Sequence, residues 1–440
     1  MYSFSPKLRL YSIILIVVGL VLFGIGYAVN HSIDKAKVEQ MVAAKHVDLE
    51  HGPKSNSMQE HDKTHDEHIE TALHQVHNEP MAALLQVSVF AFGIACAALF
   101  FYCVQNASHA GWPIIILRVM EAVASFIPYG GVLMLIIVLS NTIGLSHLYH
   151  WMDGSLVDPN SPNFDVILYE KSKYLNIPFY IARTLIFVIG ASFFVWKLKS
   201  MSKKVDETKS RAVYQQYYNW SVGYIAFFGF ASAAWAWDWM MSIDPHWYST
   251  LYIWYTMVSC LSTAVGIIIL ICVYLKKKGV LPQFNDNHLH DLGVFLFATS
   301  MLWTYLWFAQ FMLYWYANVP EEVNYFYGRF EYYRWTFLPM LIPNFLLPLL
   351  VLVSSSIKRN YKVVSTMAVV VICGHWLDYF NIVMPGTVGP FWNIGLLEIG
   401  ATLFIIGLFI FAVMSALSKL KLIPTGNPFL KESEIYEYPF

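Results

Sequence analysis

The sequence predicts an all-α polytopic membrane protein, with about ten transmembrane helices forming two four-helix bundles flanked by the first and last helices. Three observations carry that expectation. The 440 residues are 57% hydrophobic and only 13% charged, about half the charge of a typical soluble domain. Apolar runs of about twenty residues, the length that crosses hydrocarbon, recur along the whole chain. A short motif at the end of the fifth run also returns at the end of the ninth, four runs later. The net charge of -1 offers no attraction for nucleic acid or for a strongly charged partner.

The ten runs cover residues 10–29, 81–102, 113–139, 177–196, 220–241, 251–275, 292–316, 337–357, 363–384 and 393–417. The first has too long an apolar core for a cleavable signal and no small-residue cleavage site after it, so it reads as an uncleaved anchor. Lysine and arginine in short loops set the orientation. With the N-terminus in the cytoplasm, the inner side holds Lys7, Arg9, Lys197, Lys199, Lys203, Lys204, Lys209, Arg211, Lys276–Lys278, Lys358, Arg359, Lys362, Lys419, Lys421 and Lys431. The short outer loops hold only Lys171, Lys173, Arg329 and Arg334. Seventeen against four puts both termini inside.

The chain then divides into a cytoplasmic N-terminus with the first span (1–29), a histidine-rich outer segment (30–80), a first bundle (81–241), a second bundle with its loops (242–392), and the tenth span with a cytoplasmic tail (393–440). The outer segment carries eight of the fifteen histidines and ten acids. Within HDKTHDEH (residues 61–68), His61 and His65 could share a helix face and bind zinc or copper. A solvated, partly helical connector is the plainer expectation, so no metal site is assigned. The loop 140–176, with HLYHWMDG at 147–154, reads as a docking surface for another protein. The five cysteines (Cys96, Cys103, Cys260, Cys272, Cys373) lie in or at the ends of apolar runs, with no CxxC and no CxxCH. The chain is therefore expected to bind neither an iron–sulfur cluster nor c-type haem.

The recurring motif is WDWMMSIDP (237–245) and WLDYFNIVMP (376–385). Each has a tryptophan just before an aspartate, an aromatic residue after it and a proline seven residues on. Two parallel four-helix units would explain the echo, and parallel repeats occur in transport proteins.

Charges inside a bilayer cost roughly 2.5–3.5 kcal/mol each on insertion scales. Arg118, Glu121, Arg183, Asp238, His375, Asp378 and Glu398 all fall within the runs, which together amounts to on the order of 10 kcal/mol. Partners within the bundle are expected. Arg118 and Glu121, spaced i, i+3, can pair on one helix face near the inner side. Arg183, Asp238, Asp378 and Glu398 fall near the outer ends, with His375 somewhat deeper and i, i+3 from Asp378. Polar groups on both sides suggest two half-pathways for protons, with structural ion pairs as the plainer alternative. Only His375 sits well inside a span, which argues against bis-histidine haem.

Three longer stretches carry a resemblance. HLHDLGVFLFATSMLWTYLWFAQFMLYWYANVPEE (288–322), DWMMSIDPHWYST (238–250) and GHWLDYFNIVMP (374–385) resemble the NrfD-like integral subunits of alternative complex III, a bacterial quinol:cytochrome c (or quinol:acceptor) oxidoreductase. That complex has two such subunits, of C type and F type. The start MYSFSPKLRLYSIILIVVGL (1–20), the histidine-rich segment and the tail GNPFLKES (426–433) look more like the F type (ActF) than the C type. The resemblance covers nearly the whole chain. It implies the bacterial inner membrane and a lipid environment. The implied partners are multihaem and monohaem cytochrome c subunits, an iron–sulfur subunit, the C-type NrfD-like subunit and, downstream, a terminal oxidase. It also implies that c-type haems and iron–sulfur clusters sit in those partners, and it makes quinone or menaquinone a candidate ligand. Asp244, His246, His288, Asp291, Gln310 and Glu321 belong to the matching motifs without an assigned role. On this expectation Asp238 and Asp378 are paired outer-side proton acceptors or relays, one per bundle, each in an aromatic collar. An independent secondary transporter and a purely structural anchor are the competing readings.

Overall fold

The computed structural model describes residues 2–45 and 65–438. It confirms the fold class: the described residues form helices and loops with no strand, and nine helical segments are long and apolar enough to cross a membrane. The chain is an all-α polytopic membrane protein.

The first helix, α1 (Pro6–His31), is followed by the short α2 (Lys35–Lys45) and by α3 (His65–Ala107). At 43 residues, α3 is about 65 Å long, twice the hydrocarbon thickness. The predicted boundary at residue 80 is therefore no break, because one helix runs from the last part of the histidine-rich segment, residues 65–80, straight into the second apolar run, with Pro80 inside it. His61 lies outside the described residues, as does the His65 side chain.

The third apolar run is broken into α4 (Leu117–Ala124) and α5 (Ile127–Thr142). Short α6 (Val166–Lys171) precedes α7 (Ile177–Thr208), whose start is fixed by Asn176 accepting from the Phe179 amide at 3.1 Å. Next comes α8 (Arg211–Ala233), the fifth predicted span and the one segment not among the nine. Its start carries Arg211, Gln215, Gln216 and Asn219, and its apolar end leaves α-helical geometry for a π turn at Ala234–Asp238. Both features shorten the regular apolar helix below the predicted span.

The second half runs through α9 (Tyr252–Lys277), α10 (Asp286–Ala317), the loop helix α11 (Pro320–Glu331), α12 (Arg334–Phe337), α13 (Leu347–Leu352) and α14 (Tyr361–Thr387). Like the third, the eighth run is interrupted, here by a π turn at Ile342–Leu346 among Pro339, Pro343 and Pro348. Proline removes a backbone donor and crowds the preceding turn, so a regular helix cannot pass through that cluster. The chain ends in α15 (Leu396–Leu417) and a tail with α16 (Leu430–Glu434).

Packing follows the predicted grouping. One set joins α3, α4–α5, α7 and α8, and the other joins α9, α10, α12–α13 and α14, with α3 touching α9 and α14 between them. The outermost pair is α1 against α15. Their backbones meet at Gly19 and Gly400, where any Cβ would lie within 2.5 Å of a main-chain atom of the other helix. Small residues allow this approach, and close packing is what holds helices together in lipid.

Candidate functional site: two echoed aspartates and a basic cluster

Asp238 is wholly buried at the end of the π turn. Arg183, two turns into α7, engages both of its oxygens: Nε donates to Oδ2 at 2.6 Å and Nη2 to Oδ1 at 3.2 Å. The guanidinium also donates to the Tyr174 carbonyl at 3.0 Å and sits 3.9 Å from the centre of the Tyr174 ring. Burial and the nearby Asp238 carboxylate push the Tyr174 hydroxyl well above its ordinary value. Beside this pair, the Trp239 indole donates to Thr184 Oγ1 at 3.0 Å. Asp238 is therefore a closed ion pair whose arginine is partly open to solvent.

Asp378 is equally buried, about two-thirds of the way along α14, and its surroundings differ in kind. Tyr255 donates to Oδ1, while Ser259 Oγ and the Trp303 indole donate to Oδ2 at 2.9 and 3.0 Å. Among the described residues no lysine or arginine pairs with it; the neighbour that can become cationic is His375, with Nδ1 3.7 Å from Oδ2 and 3.0 Å from Ser259 Oγ. His375 Nε2 is buried without a partner. Ser259 thus touches both the acid and the imidazole. This is a carboxyl held by neutral donors, with a free imidazole nitrogen one residue away in the network. Such a centre can take up or release a proton without breaking an ion pair.

Toward the end of the fold that carries Asp244, Tyr255 also lines a cavity of about 20 Å³ with Trp307, Gln310, Arg329 and Asn381. Arg329, counted in the sequence as an outer-loop charge, is buried and donates to the Asn381 carbonyl at 3.1 Å. Its Nη2 lies 3.6 Å from Asp244, whose side chain is about one-third exposed at 34%. In the same region burial pushes the Tyr325 hydroxyl up to about 12, against the opposing pull of Arg329. The two echoed motifs meet here, since a Cβ on Gly386 would fall 2.8 Å from Asp244 Oδ1.

At the lysine-rich end, Arg118 Nη1 donates to Glu121 at 2.7 Å as the spacing predicted, and to Ser202 Oγ at 2.6 Å. Its second amino group pairs with Asp206, which in turn accepts from the Gly426 amide at 2.9 Å. Glu121 Oε1 has no partner.

The remaining candidates separate from these centres. Glu398 caps its own helix, accepting from the Gly395 amide at 2.9 Å. His246 pairs with Asp165 at 2.7 Å in the loop region. His288 sits in the capping box of α10 with Asn285 and contacts Ser433 at 3.3 Å. Asp291 accepts from the Tyr436 hydroxyl at 2.5 Å and contacts His290 at 3.0 Å. Gln310 lines the small cavity, and the Glu321 side chain lies outside the described residues. In the loop 140–176, Tyr149 and Trp151 are buried against Tyr180 and Tyr149 donates to the Trp239 carbonyl at 3.0 Å, while Ile143, Leu145, Val166 and Tyr169 are exposed.

No protein-family model matches the chain, and no curated protein is similar to it.

Tyr255, Ser259 and Trp303 were not singled out from the sequence, nor were Ser202 and Asp206. Tyr255 and Ser259 do carry a signal, being i, i+4 and so on one face of the sixth span. Among the described residues, no three of His, Cys, Asp or Glu are grouped to hold a metal ion. A larger cavity of about 300 Å³ lies beside the Arg183–Asp238 pair, lined by Lys171, Tyr174, Leu175, Trp237, Trp247 and Tyr248. Its walls are aromatic and apolar with one cation, and its size is at the lower limit of small-molecule sites.

Proposed function

We propose that this chain is an integral membrane subunit of a quinol:acceptor oxidoreductase of the alternative complex III type, in which the Asp378 centre holds and passes a proton along part of a transmembrane route. The motif resemblance supports membership in such a complex. The observation that carries the proton role is a wholly buried carboxyl bonded by Tyr255, Ser259 and Trp303 rather than by a cation, next to a buried imidazole with a free nitrogen.

In this reading Asp378 takes the proton. Ser259, bonded to both, couples it to His375, and Tyr255 faces the side on which Arg329 and Asp244 lie. The Arg118–Glu121–Asp206 cluster is the counterpart at the lysine-rich, cytoplasmic end. Catalysis needs partner subunits, because the chain has no motif for attaching c-type haem or a cluster. The aromatic cavity beside Tyr174 fits a quinone ring, with Trp237, Trp247 and Tyr248 as walls and Lys171 as the polar group. When bound, such a ring supplies two-electron, two-proton chemistry.

One observation favours a secondary transporter as the second reading. The third and eighth spans are interrupted part-way, the kind of break that often forms transporter binding sites. A reduced-minus-oxidised optical spectrum of the natively purified, tagged protein separates the two. A strong c-type haem signal must come from co-purifying partners and supports the redox complex. A silent spectrum from an intact, monodisperse preparation overturns it in favour of transport. Within the complex, normal proton coupling in fully assembled Asp378→Asn would remove the proton role.

A further inference from the structure

The cavity of about 20 Å³ between Tyr255, Gln310, Arg329 and Asn381 is too small for an organic ligand and large enough for one water molecule. Its walls are not those of a dry void. Gln310 is 96% buried on α10, and its Nε2 has no partner. A buried amide donor left without an acceptor is rare in folded proteins, and an internal water is the usual remedy. Trp307, also on α10, lines the cavity as well, and its Nε1 is likewise buried without a partner, while the remaining polar walls are largely committed. Arg329 gives Nε to the Asn381 carbonyl at 3.1 Å, Nη1 to the Tyr325 carbonyl at 2.6 Å and Nη2 to the Ile382 carbonyl at 3.4 Å. Asn381 accepts from Thr336 at 2.7 Å and donates to the Leu377 carbonyl at 3.0 Å. Tyr255 spends its proton on Asp378, which leaves its oxygen free to accept. Two donors without acceptors and an acceptor with a free lone pair thus bound one water-sized space.

We infer that this space holds a single internal water, which accepts from Gln310 Nε2 and donates to the Tyr255 hydroxyl oxygen, and that it extends the Asp378 centre toward the Arg329–Asp244 pair. The link rests on the proton role proposed for Asp378; the water site itself does not. Gln310 is then a positioning residue: it fixes the water, and the water lengthens the chain from Asp378 through Tyr255 toward the side on which Arg329 and Asp244 lie.

The test is a structure of the natively purified protein at a resolution that shows ordered water, paired with Gln310→Met, which keeps the side chain's length and removes the amide. The expected result is an isolated peak within hydrogen-bond distance of Gln310 Nε2 and the Tyr255 hydroxyl, absent in Gln310→Met, with a lower unfolding temperature for that variant. An empty cavity between ordered side chains would overturn the site. So would a Gln310 amide turned onto a protein acceptor. A higher unfolding temperature in Gln310→Met would do the same, since it means that an unsatisfied donor had been removed from a dry cavity. If the water is present, lost in Gln310→Met, and proton coupling in the assembled complex is unchanged while Asp378→Asn abolishes it, the link fails and the proton role stands. If Asp378→Asn also leaves coupling intact, the proton role is the part that fails, and the water site is judged on its density alone.

Discussion

Asp238 and Asp378 occupy the same place in the same short motif and are equally buried, yet one is locked to an arginine and the other is held by a phenol, a hydroxyl and an indole. Their helices also present them to different neighbours. Asp238 faces α7, the third span of its bundle, whereas Asp378 faces α9 and α10, the first two of its own. The π turn at Ala234–Asp238 gives a physical reason. A π turn accommodates one extra residue, so the residues after it are rotated by roughly 100° relative to a regular α-helix. Helix α14 carries the second copy without a π turn and keeps its aspartate pointed into the bundle. An ion pair fixes charge in place; neutral donors leave the proton count free to change. The same words in the sequence thus make an ion pair in one bundle and a carboxyl held by neutral donors in the other.

The difference can be broken most forcefully at Arg183. In Arg183→Met, Asp238 is left buried without its cation, and thermal unfolding of the purified protein should show a loss of about 3–5 kcal/mol. The double variant Arg183→Met/Asp238→Leu should be less destabilised than Arg183→Met alone, because an apolar pair avoids the desolvation that a lone charge cannot recover. Equal or greater loss in the double variant would mean that the pair is not a strut.

Amide substitution sharpens the contrast. Asp238→Asn should cost about 1.5–3 kcal/mol, since a charge-assisted bond to Arg183 is lost. Asp378→Asn should cost no more than about 1 kcal/mol. Its carbonyl can accept from Ser259 and Trp303, and its amide can face the Tyr255 oxygen. Proton coupling in the assembled complex should nevertheless be lost in Asp378→Asn and retained in Asp238→Asn. Equal unfolding temperatures for the two amide variants would erase the distinction. A comparably small effect is expected for Tyr255→Phe, about 0.5–1.5 kcal/mol for one lost donor, read in the same unfolding assay. A larger loss there would show that the three neutral bonds to Asp378 act as a unit.

The fold was largely legible because membrane helices announce themselves by length and apolarity alone, and the positions of the runs needed no partner information. Where the sequence misled, polar or proline-rich local chemistry was the cause. The polar start of α8 and its π turn shorten the fifth span, and three prolines interrupt the eighth. The pairing of Arg118 with Glu121 was readable because it is local. The partners of Asp378 were not, because Tyr255, Ser259 and Trp303 lie 75 to 123 residues away in the chain and look like ordinary members of apolar helices. Arg329 shows the reverse error: a charge in a predicted loop turns out to be buried against the α14 backbone.

The tail bears on how the protein is assembled. Ser433 donates to the Trp112 carbonyl at 2.6 Å, accepts from the Ile115 amide at 3.2 Å and touches His288, so it ties the first bundle to the second. Tyr436 adds the bond to Asp291. Both residues follow the last span in the chain and so emerge from the ribosome after it. The two bundles can therefore insert and pack in order of synthesis, but their lysine-rich ends stay unfastened until the last stretch arrives. A chain cut short before residue 426 would keep every span yet leave its halves untied at that end, and protease or labelling reagents should find the Trp112 loop and the start of α10 more open than in the full chain.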